Sequence, residues 1–216
     1  MNDLLIEETK NFVREQLKHA EGGHDWFHTE RVYKTAKRIS EQEQVDSLVV
    51  QLAALLHDIA DPKFHDGDEE IGPKTAQEFL ISQDLDTDRT EHITNIIRYM
   101  SFKNSLDKGQ AEFNSLELKV VQDADRLDAI GAIGIARTFN YGGFKNRPMY
   151  DPDIEPNLNM TKEEYKKSNA PTINHFYEKL LLLKDKINTD TGRELAAERH
   201  QFMLDYLEQF YKEWNT

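Results

Sequence analysis

The sequence predicts an all-α protein, and three observations carry that expectation. Apolar residues recur at three- and four-residue spacing in segment after segment. Helix breakers are sparse, with 6 prolines and 10 glycines in 216 residues. No stretch alternates as a half-buried strand does, and there is no internal repeat or low-complexity tract.

The first helix is predicted from about Asp3 to His19, with Leu4, Leu5, Phe12, Val13 and Leu17 on its buried side. Glu21-Gly22-Gly23 ends it. A second helix from near Trp26 to Gln42 puts His28, Val32, Thr35, Ala36 and Ile39 on one stripe. The third, Leu48 to Ala60, is apolar nearly all round, which marks a central, buried helix. Asp61-Pro62 stops it. Asp66-Gly67-Asp68 reads as a loop, and helices follow at Glu69 to Gln83 and Thr87 to Met100.

Ser101 to Asn114 is polar and irregular. Leu116 to Phe139 reads as one long apolar helix, bent around Gly131 and Gly134. On it, Asp125 shares a stripe with Leu118, Val121, Ala129 and Ala132. Tyr141 to Met160 is rich in Gly, Pro, Asn and Asp and reads as a long loop of the kind that often serves as a lid or binding loop. Two helices close the chain, Pro171 to Lys186 and Arg193 to Trp214. Met203 and the aromatic residues of the last one read as core. The Glu163-Glu164 and Lys166-Lys167 pairs read as a solvated surface.

Composition narrows the function. The chain is long enough for one domain, or a domain with a helical extension, that buries roughly 70% of its unfolded surface. It has no cysteine, so disulfides, thiolate nucleophiles and Cys-based zinc sites are excluded. No apolar run approaches the roughly 20 residues of a membrane span. The acidic start lacks the blocks of a signal peptide. The expectation is a soluble, cytoplasmic protein without a membrane partner. A net charge of -13 argues against binding a nucleic-acid polymer. It leaves room for a small phosphorylated ligand, because an ion and a few local cations can reverse the potential inside one pocket.

The chemistry gathers at His57-Asp58, where the third helix ends. An isolated pair of this kind is usually a helix end facing water. Here His28 and Asp125 lie on core-facing stripes of two other helices, and a buried carboxylate must be paired, hydrogen-bonded or bound to metal. Two imidazoles and two carboxylates suit a divalent cation with open water positions: manganese first, with magnesium, iron, cobalt or nickel as alternatives. Such an ion would polarise a phosphoryl oxygen and acidify a bound water.

His28, His57-Asp58 and Asp125 together resemble the His…His-Asp…Asp signature of the HD-domain phosphohydrolase superfamily. The stretches His24-Asp25-Trp26-Phe27-His28-Thr29-Glu30-Arg31-Val32, Val121 to Ala132 and Asn174 to Leu180 are similar to one bacterial subfamily of small stand-alone HD proteins. The resemblance covers nearly the whole chain. It implies one HD-type helical bundle over residues 1–216, with additional C-terminal helices. The metal-binding core would span about 20–140, the long loop 141–160 and the C-terminal helices 161–216. It also implies one divalent metal and hydrolysis of phosphate esters or anhydrides, usually on nucleotides. Some subfamily members are pyrophosphohydrolases of nucleoside triphosphates. Two-metal HD proteins add histidines on the helix that holds Ile96-Ile97. Here that helix carries only His92, read as a surface residue, and Tyr99 stands near the place of a second-metal ligand.

The resemblance also suggests roles. Asp61 stands where related hydrolases place an acid that helps activate the attacking water; a plain helix-end residue before Pro62 is the alternative. Cations are needed around the phosphoryl oxygens. Lys63, Lys103 and Arg126 are the first candidates, followed by Arg31, Lys145 and Arg147. Arg31 also suits pairing with a core carboxylate such as Asp128. His175 suits either a substrate contact or an interior position. Tyr141 and Phe144 suit stacking on a base or packing of the loop. The reading is a metal-dependent hydrolase of small nucleotides, with pyrophosphate release from (deoxy)nucleoside triphosphates ahead of monophosphate hydrolysis. Cyclic-nucleotide phosphodiesterase activity and a non-enzymatic nucleotide sensor are the alternatives, and a homodimer is left open.

Overall fold

The computed structural model describes residues 2–18, 20, 24–60, 68–100, 113–161, 164 and 168–216. Among the described residues the regular structure is helical, with no strand. None of these helices is long and apolar enough to cross a membrane. The chain falls into two compact units, Met1–Asp125 and Arg126–Thr216.

In the first unit, α1 (Asn2–Gln16), α2 (Trp26–Ser40) and α5 (Thr87–Met100) each pack on α3 (Ser47–Leu56), and α4 (Ile71–Ser82) packs on α5. Helix α3 is the centre, as its sequence predicts. Val50, Leu52, Ala53, Ala54, Leu55 and Leu56 have no exposed surface. Each buried leucine contributes about 1.5–3 kcal/mol by leaving water. Asp46 caps α3 by accepting from the Leu48 and Val49 amides at 3.0 and 3.3 Å. Arg89 Nε donates to the same carboxylate at 2.8 Å, fastening the start of α5 to the start of α3. On the α1 side, Phe12 stacks on Phe79 with ring centroids 4.1 Å apart, and the Arg14 guanidinium lies 4.3 Å from the Trp26 ring centre. Leu4, expected inside, is exposed.

Helix α3 ends at Leu56 rather than Ala60. The reason is local: His57 turns its ring back so that Nδ1 lies 2.9 Å from the Ala54 carbonyl oxygen. That carbonyl is one of the last four of the helix, which lack a partner within it. His57 and Asp58 therefore sit in the turn after the helix, not on it.

The predicted helix from Leu116 to Phe139 is two helices, α6 (Leu116–Asp128) and α7 (Gly131–Phe144). Gly131 has φ +74°, a left-handed backbone that favours glycine. The break thus falls at one of the two expected glycines. The other, Gly134, allows a close approach: a Cβ there would collide with the Ala129 carbonyl. Helix α7 also continues to Phe144, so the long loop starts later than its composition suggests.

The second unit packs α7 against α9 (Asp190–Trp214). Pro171 to Lys186 is not one helix. It forms the short α8 (Asn174–Glu178), leaves the helical region at Lys179 and resumes as a 3₁₀ helix over Leu180–Lys186. Three residues per turn align Leu180 with Leu183, and both are buried while Leu182 is not. Phe176 is fully buried, stacked on Tyr206 and close to Phe139. Near the end of α9, Tyr150 packs edge-on against Trp214 at 5.0 Å, and Phe210 stacks on Trp214 at 5.9 Å. Phe202 and Trp214 were expected as core, yet about half the surface of each is exposed. The Trp214 cluster is a rim of aromatic rings packed on one another.

Candidate metal centre

Three segments of the first unit bring the candidate ligands together. The first is the start of α2, where the Asp25 side chain accepts from the His28 amide at 2.9 Å and caps the helix. This places His28 one turn in, on the buried side, with 2% of its surface exposed. The second is the turn after α3. The third is α6, whose Asp125 carboxylate is partly open to water.

The geometry is close. His28 Nε2 lies 3.5 Å from Asp125 Oδ1. The His28 and His57 rings meet edge to face with centroids 5.5 Å apart. Ligand atoms of His28, His57 and Asp125 lie within 4.8 Å of one another, as do those of His24, His28 and Asp58. His28 belongs to both groups. Its Nε2 has a single in-plane lone pair, so through that atom it serves one ion only.

Hydrogen bonding sets the chemistry of these donors. A carbonyl oxygen only accepts, so His57 Nδ1 carries the proton given to Ala54. His57 Nε2 is then the nitrogen with a lone pair for a metal. Burial acts to raise the Asp58 carboxyl. The hydrogen bond from His24 and the nearby imidazoles of His57, His24 and His28 outweigh it and hold the group below the usual carboxylate value. Asp58 is therefore ionised at neutral pH. An ionised carboxylate, a second acid and imidazoles oriented by their neighbours fit a divalent cation.

Residues 26–130 match the HD domain. An HD-superfamily hydrolase from Bacillus thuringiensis aligns over 100% of both chains at 43% identity, with a TM-score of 0.81. The chain belongs to the HD superfamily. The Bacillus subtilis protein YpgQ is 39% identical over 209 residues, covering 96% of this chain and 92% of the relative. The crystal structure of YpgQ in complex with ADP covers 99% of this chain and 97% of its own at 36% identity, with a TM-score of 0.76. This HD protein is accordingly a metal-dependent phosphohydrolase.

The other candidates fall as follows. Asp61, Lys63 and Lys103 lie outside the described residues. Arg31 is half-buried on α2. Arg126, in the second unit, gives its Nη1 proton to the Lys186 carbonyl at 2.7 Å. Lys145 is exposed, with Nζ 5.6 Å from the Tyr141 ring centre and 5.0 Å from that of Phe144. Arg147 donates to the Ser168 carbonyl at 2.6 Å. Burial, joined by the charges of Lys179 and Arg147, pushes the His175 imidazole down to about 4, so it is neutral at physiological pH. Asp128 pairs with Arg137. His92, read as a surface residue, is half-buried, with Nε2 3.1 Å from Ser115 Oγ and 3.5 Å from Glu117. Tyr99 packs on Phe113.

One residue at the centre escaped the reading of the sequence. His24 Nδ1 lies 2.6 Å from Asp58 Oδ2. The signal was present in the spacing, since His24 precedes His28 by four positions, about one helical turn. It was hidden because residue 24 lies before the first residue of α2.

Proposed function

We propose that this HD hydrolase cleaves nucleoside triphosphates, deoxynucleotides included, to the monophosphate and pyrophosphate in the cytoplasm. One Mn²⁺ would be held by His28, His57, Asp58 and Asp125. The observation that carries this reading is that His28 belongs to both groups of ligand atoms. That shared residue supports reading them as one site for one ion.

When bound, the ion would supply charge at a phosphoryl oxygen and a more acidic water. The chain's own residues then divide the remaining work. His57 keeps its Nε2 directed away from Ala54. Asp58 and Asp125 bring two negative charges that balance the ion. A triphosphate adds more negative charge, and in a chain of net charge -13 this calls for local cations. Lys63, Lys103 and Arg31 are the proposed sources in the unit that carries the ligands; Arg126, Lys145 and His175 belong to the second unit. Asp61 is the proposed base. The similarity to YpgQ, seen in complex with ADP, supports a nucleotide substrate.

The test is product analysis by phosphorus NMR on a panel of nucleoside tri-, di-, mono- and cyclic phosphates. It uses metal-stripped protein given Mn²⁺, Mg²⁺, Co²⁺ or Ni²⁺. Pyrophosphate appearing from triphosphates, fastest with Mn²⁺ and lost with EDTA, is the expected result. Phosphate from monophosphates alone would make the protein a phosphatase. Nucleotide binding without turnover would make it a sensor. Turnover by Asp58→Ala equal to wild type would overturn the metal-hydrolase assignment.

A further inference from the structure

His24 has no part in the four-residue ligand set, yet it makes a short polar contact there: Nδ1 to Asp58 Oδ2, 2.6 Å. It is not buried for packing, since about half of its side chain is exposed. Its ring also meets His28 edge to face, with centroids 6.0 Å apart. His24 thus sits on the open side of a site in which the His28 imidazole is almost wholly enclosed.

Chemistry limits what His24 can do there. Asp58 as a carboxylate only accepts, so the facing Nδ1 must carry hydrogen. That holds for the neutral ring and for the charged one. A nitrogen that holds a proton has no lone pair for a metal. The other ring nitrogen points away across the ring. A hydrogen bond to one carboxylate oxygen fixes the plane of the whole group, and ligating carboxylates held in this way bind metal more tightly.

We infer that His24 is a positioning residue of the metal centre: it donates Nδ1–H to Asp58 Oδ2 and fixes that carboxylate for the ion without ligating the ion itself. The inference rests on the proposed role of Asp58 as a ligand. It goes beyond that role by adding a fifth residue with a different task.

The test is Mn²⁺ binding, followed by calorimetry and by pulsed electron paramagnetic resonance of the bound ion. The proteins are wild type, Asp58→Ala, His24→Ala, His24→Asn and His24→Gln. Asparagine places an amide nitrogen close to where histidine has Nδ1; glutamine carries it one methylene further. The expected result is Mn²⁺ affinity about 10- to 100-fold weaker in His24→Ala and His24→Gln, restored in large part by His24→Asn. The number of nitrogen couplings on the ion should be unchanged in all three. Loss of one coupling in His24→Ala would make His24 a ligand and overturn the inference. Wild-type affinity in His24→Ala, with Asp58→Ala unable to bind, would overturn it and leave the metal site standing. Wild-type affinity in Asp58→Ala would instead overturn the metal site on which the inference rests.

Discussion

Asp128 and Arg137 form an ion pair over the break between α6 and α7, nine positions apart in the chain. The carboxylate is buried, while the arginine keeps some contact with water. Removing one partner of a buried pair costs more than neutralising both. Arg137→Ala is expected to destabilise the protein by about 3 kcal/mol. Arg137→Gln with Asp128→Asn is expected to recover more than half of that loss. Urea unfolding midpoints of the two variants check it.

His175 makes stability depend on pH. Its folded value of about 4 lies below the ordinary histidine value near 6.5. Between those limits the unfolded chain takes up a proton that the folded chain refuses. The contribution is therefore whole above about pH 6.5 and falls away, by up to about 3 kcal/mol, as pH drops to about 4. Urea unfolding at closely spaced pH values should show the slope, and His175→Gln should flatten it. A His175 ring that titrates near 6.5 by NMR in the folded protein would sink the prediction.

Two glycines of α7 should respond oppositely to alanine. At Gly134 a Cβ meets the Ala129 carbonyl, which is backbone and cannot swing aside. Gly134→Ala is expected to cost about 1–3 kcal/mol. At Gly143 a Cβ meets nothing within 4 Å. Gly143→Ala is expected to stabilise by about 0.5 kcal/mol, because glycine loses more backbone freedom on folding. Thermal unfolding of both variants decides it.

Asp61 should separate catalysis from metal binding. As the proposed base it moves a proton and does not hold the ion. Asp61→Asn is expected to lower kcat about 10²- to 10⁴-fold while Mn²⁺ affinity stays within a few-fold of wild type. Equal losses in kcat and Mn²⁺ affinity would place Asp61 among the ligands instead.

The helices were legible where periodicity and caps agreed. Thr87–Met100 is found with both predicted ends, and α3 is as buried as its all-round apolar sequence requires. Misjudged ends have local causes that periodicity does not contain. His57 bonds back to Ala54, and Lys179 leaves the helical region. At the centre, His28 and Asp125 could be read because each interrupts an apolar stripe. His24 could not, because it stands outside the helix whose spacing would have revealed it. The Trp214 cluster misled for a related reason: aromatic residues at helical spacing can shield one another at a surface as well as fill a core.

The chain has 2 tryptophans, and the chain division places one in each compact unit. Trp26 lies under the Arg14 guanidinium in the first; Trp214 lies among Tyr150 and Phe210 in the second. Each indole is thus a private fluorophore for its own half of the molecule. Trp214→Phe leaves emission that reports on the metal-bearing half alone, and Trp26→Phe leaves emission from the C-terminal half. Superimposed denaturation curves from the two would show that the halves melt as one, and separated curves would show which half gives way first.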